Sequence, residues 1–295
     1  MRSARLDVHT HPPALPLGNR SRTWRRLRHS YLGLFGAFVV AVVVIIALFA
    51  PLLAPYDPAE QFFEGLSIEG SPLPPNPQFR LGTDLLGRDL LSRLIYGAHI
   101  SLTVGVVANL AALLLGTFLG TVAGYFRGFT GRLIMRFTDV MMAFPALLLA
   151  IALSAILRPS LWIVALVIAL VNWVQIARVT YAQVLTLAEA EFVDAATALG
   201  ARKGRILLRH LVPHLLPTML VYGTLGISTT VLLEATLSYL GVGVQPPVPS
   251  WGNIINERKP VLLSHSALAR HLSRRSHTPH RRFLQPRRGR PARRA

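Results

Sequence analysis

Five stretches of this chain are apolar for long enough to read as membrane-crossing helices, each of which needs roughly 20 predominantly apolar residues to cover about 30 Å of hydrocarbon. Residues 31–53 contain no charged side chain, and their core, AFVVAVVVIIALFA, is longer than the apolar part of a cleaved leader, so a retained anchor is expected. Further apolar runs lie at 101–123, 140–157, 161–176 and 215–231, the last continuing past Glu234 to residue 240. The fourth is short and turns polar at one end, where Asn172 and Gln175 stand. The pattern predicts an all-α, polytopic membrane helix bundle with five spans.

Two of the connecting segments are informative. Residues 54–80 hold Pro55, Pro58, Pro72, Pro74, Pro75 and Pro77 and read as an extended loop. In the stretch that follows, 81–102, Asp84 precedes Arg88 by four and Asp89 precedes Arg93 by four, while Leu86, Leu90 and Leu94 share a helical face. This predicts an amphipathic helix at the outer interface leading into the second span. An ordinary surface helix with paired charges fits the same residues.

The segment 188–213 reads AEAEFVDAATALGARKGRILLRHLVP. Acids at Glu189, Glu191 and Asp194 precede bases at Arg202, Lys203, Arg205 and Arg209, with Gly200 between them. That order suits a short helix with acids in its first turns, a glycine stop and a second, basic helix. Phe192, Ala195, Ala196 and Leu199 give the first helix a small apolar face suited to a shallow groove on a soluble partner. A solvated loop with helical propensity is the alternative.

Charge changes the picture mainly by its distribution. The 295 residues carry 31 Lys and Arg against 13 Asp and Glu, a formal net charge of +18, on a chain that is 52% hydrophobic. A nucleic-acid binder reaches such a charge with a polar surface, and a disordered chain lacks the apolar residues, so a membrane protein with basic flanks is the class that fits. Residues 1–30 hold seven arginines and one acid, the middle of the chain is balanced, and residues 258–295 hold eleven arginines, one lysine and no acid. With residues 1–30 inside, the loops on the inner side carry fifteen basic residues and those on the outer side, up to residue 257, carry four: Arg80, Arg88, Arg93 and Arg158. That places the N-terminus in the cytoplasm. It also leaves the Arg-rich end outside, against the same rule.

Candidate chemistry is sparse. There are no cysteines, and no phosphate-binding GxxxxGK[ST], HExxH or GxSxG motif occurs. His210 and His214 are four apart and could face one metal, but a third ligand is missing nearby, so no metal site is expected. Glu234 is the one acid within an apolar run; it reads either as a functional intramembrane group or as a packing carboxylate bonded to Ser or Thr hydroxyls. Gly116, Gly120 and Gly124 recur at intervals of four and leave one helix face open to close approach by another. Pro145, Pro213 and Pro217 mark kinks or helix starts. A membrane-embedded enzyme using Glu234 with the two histidines would need groups from opposite sides of the bilayer, and a secondary transporter would want more intramembrane ionisable groups.

Several of these motifs together resemble one family. Asp194-Ala195-Ala196, Gly200 and Val212-Pro213 are similar to the Glu-Ala-Ala motif of binding-protein-dependent ABC transporter permeases, with Asp in place of Glu and Val in place of Leu. The runs Leu81-Gly82-Thr83-Asp84, Leu86-Gly87-Arg88-Asp89, Glu234-Ala235-Thr236-Leu237-Ser238-Tyr239-Leu240-Gly241 and Pro249-Ser250-Trp251-Gly252 resemble the C-type permease subunit of dipeptide, oligopeptide and nickel importers. The resemblance implies a type I importer permease fold with six spans, in the inner membrane, and no enzymatic activity or cofactor of its own. It implies as partners a second homologous permease, two ATP-binding cassette ATPases, a periplasmic solute-binding protein and membrane lipid, with no nucleic acid. Glu191, Asp194, Ala195, Ala196, Gly200 and Pro213 would couple to the ATPases.

The resulting division is a cytoplasmic basic segment at 1–30, a permease core at 31–257 with a periplasmic loop at 54–98 and a coupling loop at 188–213, and an Arg-rich tail at 258–295. Two features depart from the family. His99 stands where many relatives have Arg. The tail, built from residues with GC-rich codons, stands where the family has its sixth span, which points to a shifted reading frame close to residue 257; a natural basic tail binding anionic lipid or nucleic acid is the alternative.

Overall fold

A computed structural model describes residues 30–157 and 160–265, for residues 259–265 the backbone alone. The basic segment before residue 30, residues 158 and 159, and residues 266–295 of the tail lie outside the described residues; the first eight residues of the expected tail, 258–265, instead continue the helix that begins at Trp251.

The order of helices is α1 (Tyr31–Leu48), α2 (Ala50–Leu53), α3 (Leu90–Tyr125), α4 (Phe129–Ala143), α5 (Ala146–Ile156), α6 (Leu161–Leu187), α7 (Glu191–Ala198), α8 (Lys203–Ile206), α9 (Val212–Tyr239) and α10 (Trp251–His265). Among the described residues, four helical stretches are long and apolar enough to span a membrane, and α4 with α5 makes a fifth if that bent pair is one span. The third apolar run is therefore broken. Pro145 has no N–H to continue the ladder, and the two helices on either side of Phe144–Pro145 meet at 92°.

Three helices form the centre. Helix α3 has 36 residues, about 54 Å at 1.5 Å per residue, so it exceeds the hydrocarbon layer and continues beyond it. Parallel to it runs α6, extended to 27 residues from the shorter run read in the sequence. The seam between them is made by Gly116, Gly120 and Gly124, which face Trp173 and Ile176, then Ala177 and Thr180, then Tyr181 and Val184. A methyl at Gly116 would stand 2.6 Å from the Trp173 carbonyl oxygen, and one at Gly124 2.8 Å from Val184 Cβ, so the backbones are closer than any side chain permits. Antiparallel to both runs α9, joined by hydrogen bonds from Asn109 Nδ2 to the Gly223 carbonyl (2.7 Å), from Asn172 Nδ2 to Thr230 Oγ1 (3.2 Å) and from Gln183 Nε2 to Thr218 Oγ1 (2.7 Å). Helix α1 stands apart and leaves most of its side chains exposed; the His99 ring Nδ1, 2.8 Å from the Ala47 carbonyl, ties its end to α3.

The stretch 81–89 is not the amphipathic helix that its charge spacing predicts. Asp84 instead closes a tight loop: its Oδ1 accepts from the backbone N–H of Leu86 (2.8 Å) and Arg88 (3.0 Å), and Thr83 bridges to Asp89. Gly87, at φ +75, has its Cα where a side chain would meet the Phe62 carbonyl, so glycine is required there for both conformation and space. The helix starts only at Leu90, capped by Asp89, whose Oδ2 accepts from Ser92 N (2.8 Å) and Ser92 Oγ (2.6 Å). Asp89 is thus a cap, and its carboxylate is not among the ion-pair partners of Arg93, which are Asp84 and Glu257.

Arg88 and Arg93 are buried and share acids from two distant segments. Arg88 Nε donates to Asp84 Oδ2 (2.6 Å), and both arginines donate from NH2 to Glu257 Oε2, at 3.0 and 2.8 Å. Glu257 belongs to α10, which packs along the first turns of α3 with Trp251 Nε1 donating to the Leu94 carbonyl (3.3 Å). Arg258 donates to the Thr83 carbonyl (2.9 Å). Buried Phe79 fills the loop beneath, its ring 5.8 Å from Tyr56 and 5.4 Å from Phe62.

Candidate functional site

At the opposite end of the bundle, α7 and α8 form a hairpin that leads into α9. Glu191 and Asp194 occupy the first turn of α7, where the helix dipole favours acids. The helix stops at Gly200, whose φ of +76 lets its N–H reach the Thr197 carbonyl (2.9 Å) while Ala201 N–H reaches back to Ala196 (3.0 Å). No other group lies within 4 Å of a side chain built at Gly200, so its requirement is conformational alone. Lys203 and Arg205 sit in the short α8.

The second, basic helix does not end before the fifth apolar run. It passes through a π-helical turn at Leu207–Leu211 straight into α9, with Pro213 in the first turn. A proline at 213 cannot donate to the Arg209 carbonyl, and the wider turn immediately before it absorbs the missing hydrogen bond. Pro217 lies inside α9.

The apolar face read from the α7 sequence is split. Val193 is buried, and Phe192 and Ala196 pack inward on the cluster built from Val184, Ile206, Leu211 and Leu215. The Phe192 ring stacks on His214 at 4.9 Å. What α7 presents outward is Glu191, Asp194, Ala195, Ala198 and Leu199, the last 88% exposed. Val193 and Ala198 went unread because an eight-residue helix of mostly small side chains gives too little pattern to orient it; the spacing of Phe192 and Ala196 at four was the available signal. Beside the hairpin, Arg127 pairs with Glu189 (2.8 Å), and Tyr125, Arg127, Asp194 and Lys203 line a hollow of about 480 Å³.

Glu234 is fully buried on α9. Its Oε1 accepts from Ser238 Oγ (2.7 Å), and that same hydroxyl oxygen accepts from Val244 N (3.1 Å), so the carboxylate holds the turn after α9. His214 lies twenty residues back along the same helix, about 30 Å away at 1.5 Å per residue. The two cannot form one site. His214 Nδ1 faces the His210 carbonyl at 2.6 Å, and among the described residues no three metal-ligating side chains converge.

Sequence comparison bears on what such a hairpin belongs to. Residues 116–269 match the family described as binding-protein-dependent transport system inner membrane component, and residues 20–75 match the N-terminal transmembrane domain of oligopeptide transport permease C. The chain is 39% identical over 241 residues to a dipeptide transport system permease protein of Alkalihalophilus pseudofirmus, covering 82% of this chain and 78% of that protein. It is 42% identical over 233 residues to a di/tripeptide transport system permease protein of Pseudomonas aeruginosa, covering 79% and 77%. A glutathione transport system permease protein of Escherichia coli is 39% identical over 236 residues, covering 80% and 77%.

Proposed function

Because this chain belongs to the family of binding-protein-dependent transport system inner membrane components, and so is a multi-pass permease subunit of an ATP-driven importer, we propose that the α7–α8 hairpin is its coupling element and that its solutes are short peptides or peptide-like compounds. The family is one of ABC importers, whose permeases work with ATPase and solute-binding components. For this chain the partners are a second homologous permease, two ATPases at the hairpin end and a solute-binding protein at the end carrying residues 54–89. The basic residues of the loops support an N-terminus and hairpin in the cytoplasm of a bacterial inner membrane, and the opposite end in the periplasm.

One observation carries the coupling role. The hairpin is held to its own bundle by Val193, Phe192, Ala196 and Ile206, yet offers Asp194, Ala195, Ala198, Leu199 and Gly200 to the outside. An element anchored on one side and free on the other transmits a push: movement of an ATPase against the free face reaches α6 and α9 through the buried one. Glu191 and Asp194 add charge to the free face, and Pro213 starts the long helix that would carry the displacement across the membrane. The test is ATP-driven uptake by cells carrying Asp194→Lys or Leu199→Asp. Uptake should fall more than about tenfold, a loss of roughly 1.4 kcal/mol or more in coupling, while the chain still inserts and assembles with its partner permease. Native uptake by both variants would overturn the reading.

A further inference from the structure

Near the middle of the bundle, between α3, α6 and α9, lies a cleft of about 330 Å³ that the coupling role leaves unused. Its walls include Asn109, Asn172, Gln175, Tyr222, Gly226 and Thr229. Each stands near the midpoint of its helix, so the cleft sits at the depth where a bilayer holds no water. Polar side chains at that depth are costly unless they are satisfied, and chains keep them there for packing or for use.

Packing accounts for only part of them. Asn109 is 5% exposed and donates from Nδ2 to the Gly223 carbonyl, which fixes its amide plane. Its Oδ1 lies against Gly226, where any side chain would collide with it. Asn172 spends one donor on Thr230. Among the described residues Gln175 has no protein partner, and Gln175, Tyr222 and Thr229 are exposed to the cleft mouth. The cleft therefore presents two amides anchored by hydrogen bonds, Asn109 and Asn172, the Gln175 amide, a phenol, and the Thr229 hydroxyl, which donates to the Gly226 carbonyl (2.9 Å) and keeps its acceptor lone pairs. None of its lining residues is charged, and none is a histidine, cysteine or methionine.

We propose that this cleft is a way station that hydrogen-bonds the backbone amide of a short peptide during passage. A secondary amide presents one N–H and one C=O, and the side chains of Asn172 and Gln175 offer the complementary pair. Uncharged donors and acceptors suit a solute that must bind and then leave, because a charged partner at this depth would hold it too tightly. The same chemistry disfavours a metal ion, which would want carboxylate, imidazole or sulfur. The inference rests on the permease reading above and narrows its solute to compounds recognised through a neutral amide.

The test uses the full importer, this chain with its partner permease, ATPases and solute-binding protein, in proteoliposomes with radiolabelled dialanine, read as peptide delivered per ATP hydrolysed. Asn172→Leu combined with Gln175→Leu should lower that ratio about tenfold, whereas Gln175→Ser, which keeps a donor and an acceptor, should stay within about twofold of native. Tyr222→Phe removes one hydroxyl without changing shape, and about a threefold drop is expected from it, which guards against a folding defect in the double variant. Native ratios in both the double variant and Tyr222→Phe would overturn the way station and leave the permease reading standing. Failure of the native importer to move dialanine or any other short peptide would overturn the peptide reading and the way station together.

Discussion

The two ends of this molecule treat charge in opposite ways. At the end carrying residues 54–89, Asp84, Arg88, Arg93 and Glu257 form a closed cluster in which both arginines are almost wholly buried and each acid serves two bases. At the hairpin end, Arg127 with Glu189 and Arg178 with Asp139 pair on the surface, all four side chains being at least two-fifths exposed. The first end uses its charges to join segments of its own chain: the loop before α3, α3 itself and α10. The second pairs its charges at the surface and leaves the outer face of α7 exposed. The first end is braced by ion pairs within its own chain, although Arg93 Nε and Nη1 find no hydrogen-bond acceptor among the described residues, and the second has a face open to contact.

Three substitutions would break or sharpen that contrast, in order of their effect on the thermal unfolding of the purified chain. Arg93→Met strips the buried acids of one of two cations, and loss of one partner from a buried pair costs about 3–5 kcal/mol. The unfolding midpoint should fall accordingly. Gly200→Val should cost less, about 1–2 kcal/mol, because it forces a side chain into the left-handed region while meeting no steric obstacle. Its larger signature should be in ATP-driven uptake, since the direction in which α7 points depends on that turn. Arg127→Met removes one member of an exposed pair, and a change within about 1 kcal/mol is expected. Should Arg93→Met prove as mild as Arg127→Met, the distinction between an end that buries its ion pairs and one that exposes them would collapse.

The parts of this structure that were legible in the sequence are those governed by local rules. Pro145 breaks the third run because a missing N–H acts wherever it stands. The four-residue spacing of Gly116, Gly120 and Gly124 aligns them on one face by helical period alone, and α6 lies there. Gly200 ends α7 by its own backbone conformation. Where the reading went astray, a spacing of four was compatible with two structures. Asp84 and Arg88 pair as well across a glycine-closed loop as on a helix, and only the loop brings Glu257, 169 residues from Arg88, into the same cluster.

What the sequence determined by itself is therefore where the apolar runs lie, where one of them breaks and where a helix stops, because hydrophobic length, proline and glycine act through the backbone of a few neighbouring residues. Tertiary structure alone decided which acids meet which bases around Arg93, which side of α7 is anchored by Val193, and that Asn109, Asn172 and Gln175 border one cleft with Tyr222 and Thr229. Those outcomes depend on contacts between helices far apart in the chain, where burial and hydrogen-bond geometry select one partner from several that composition allows.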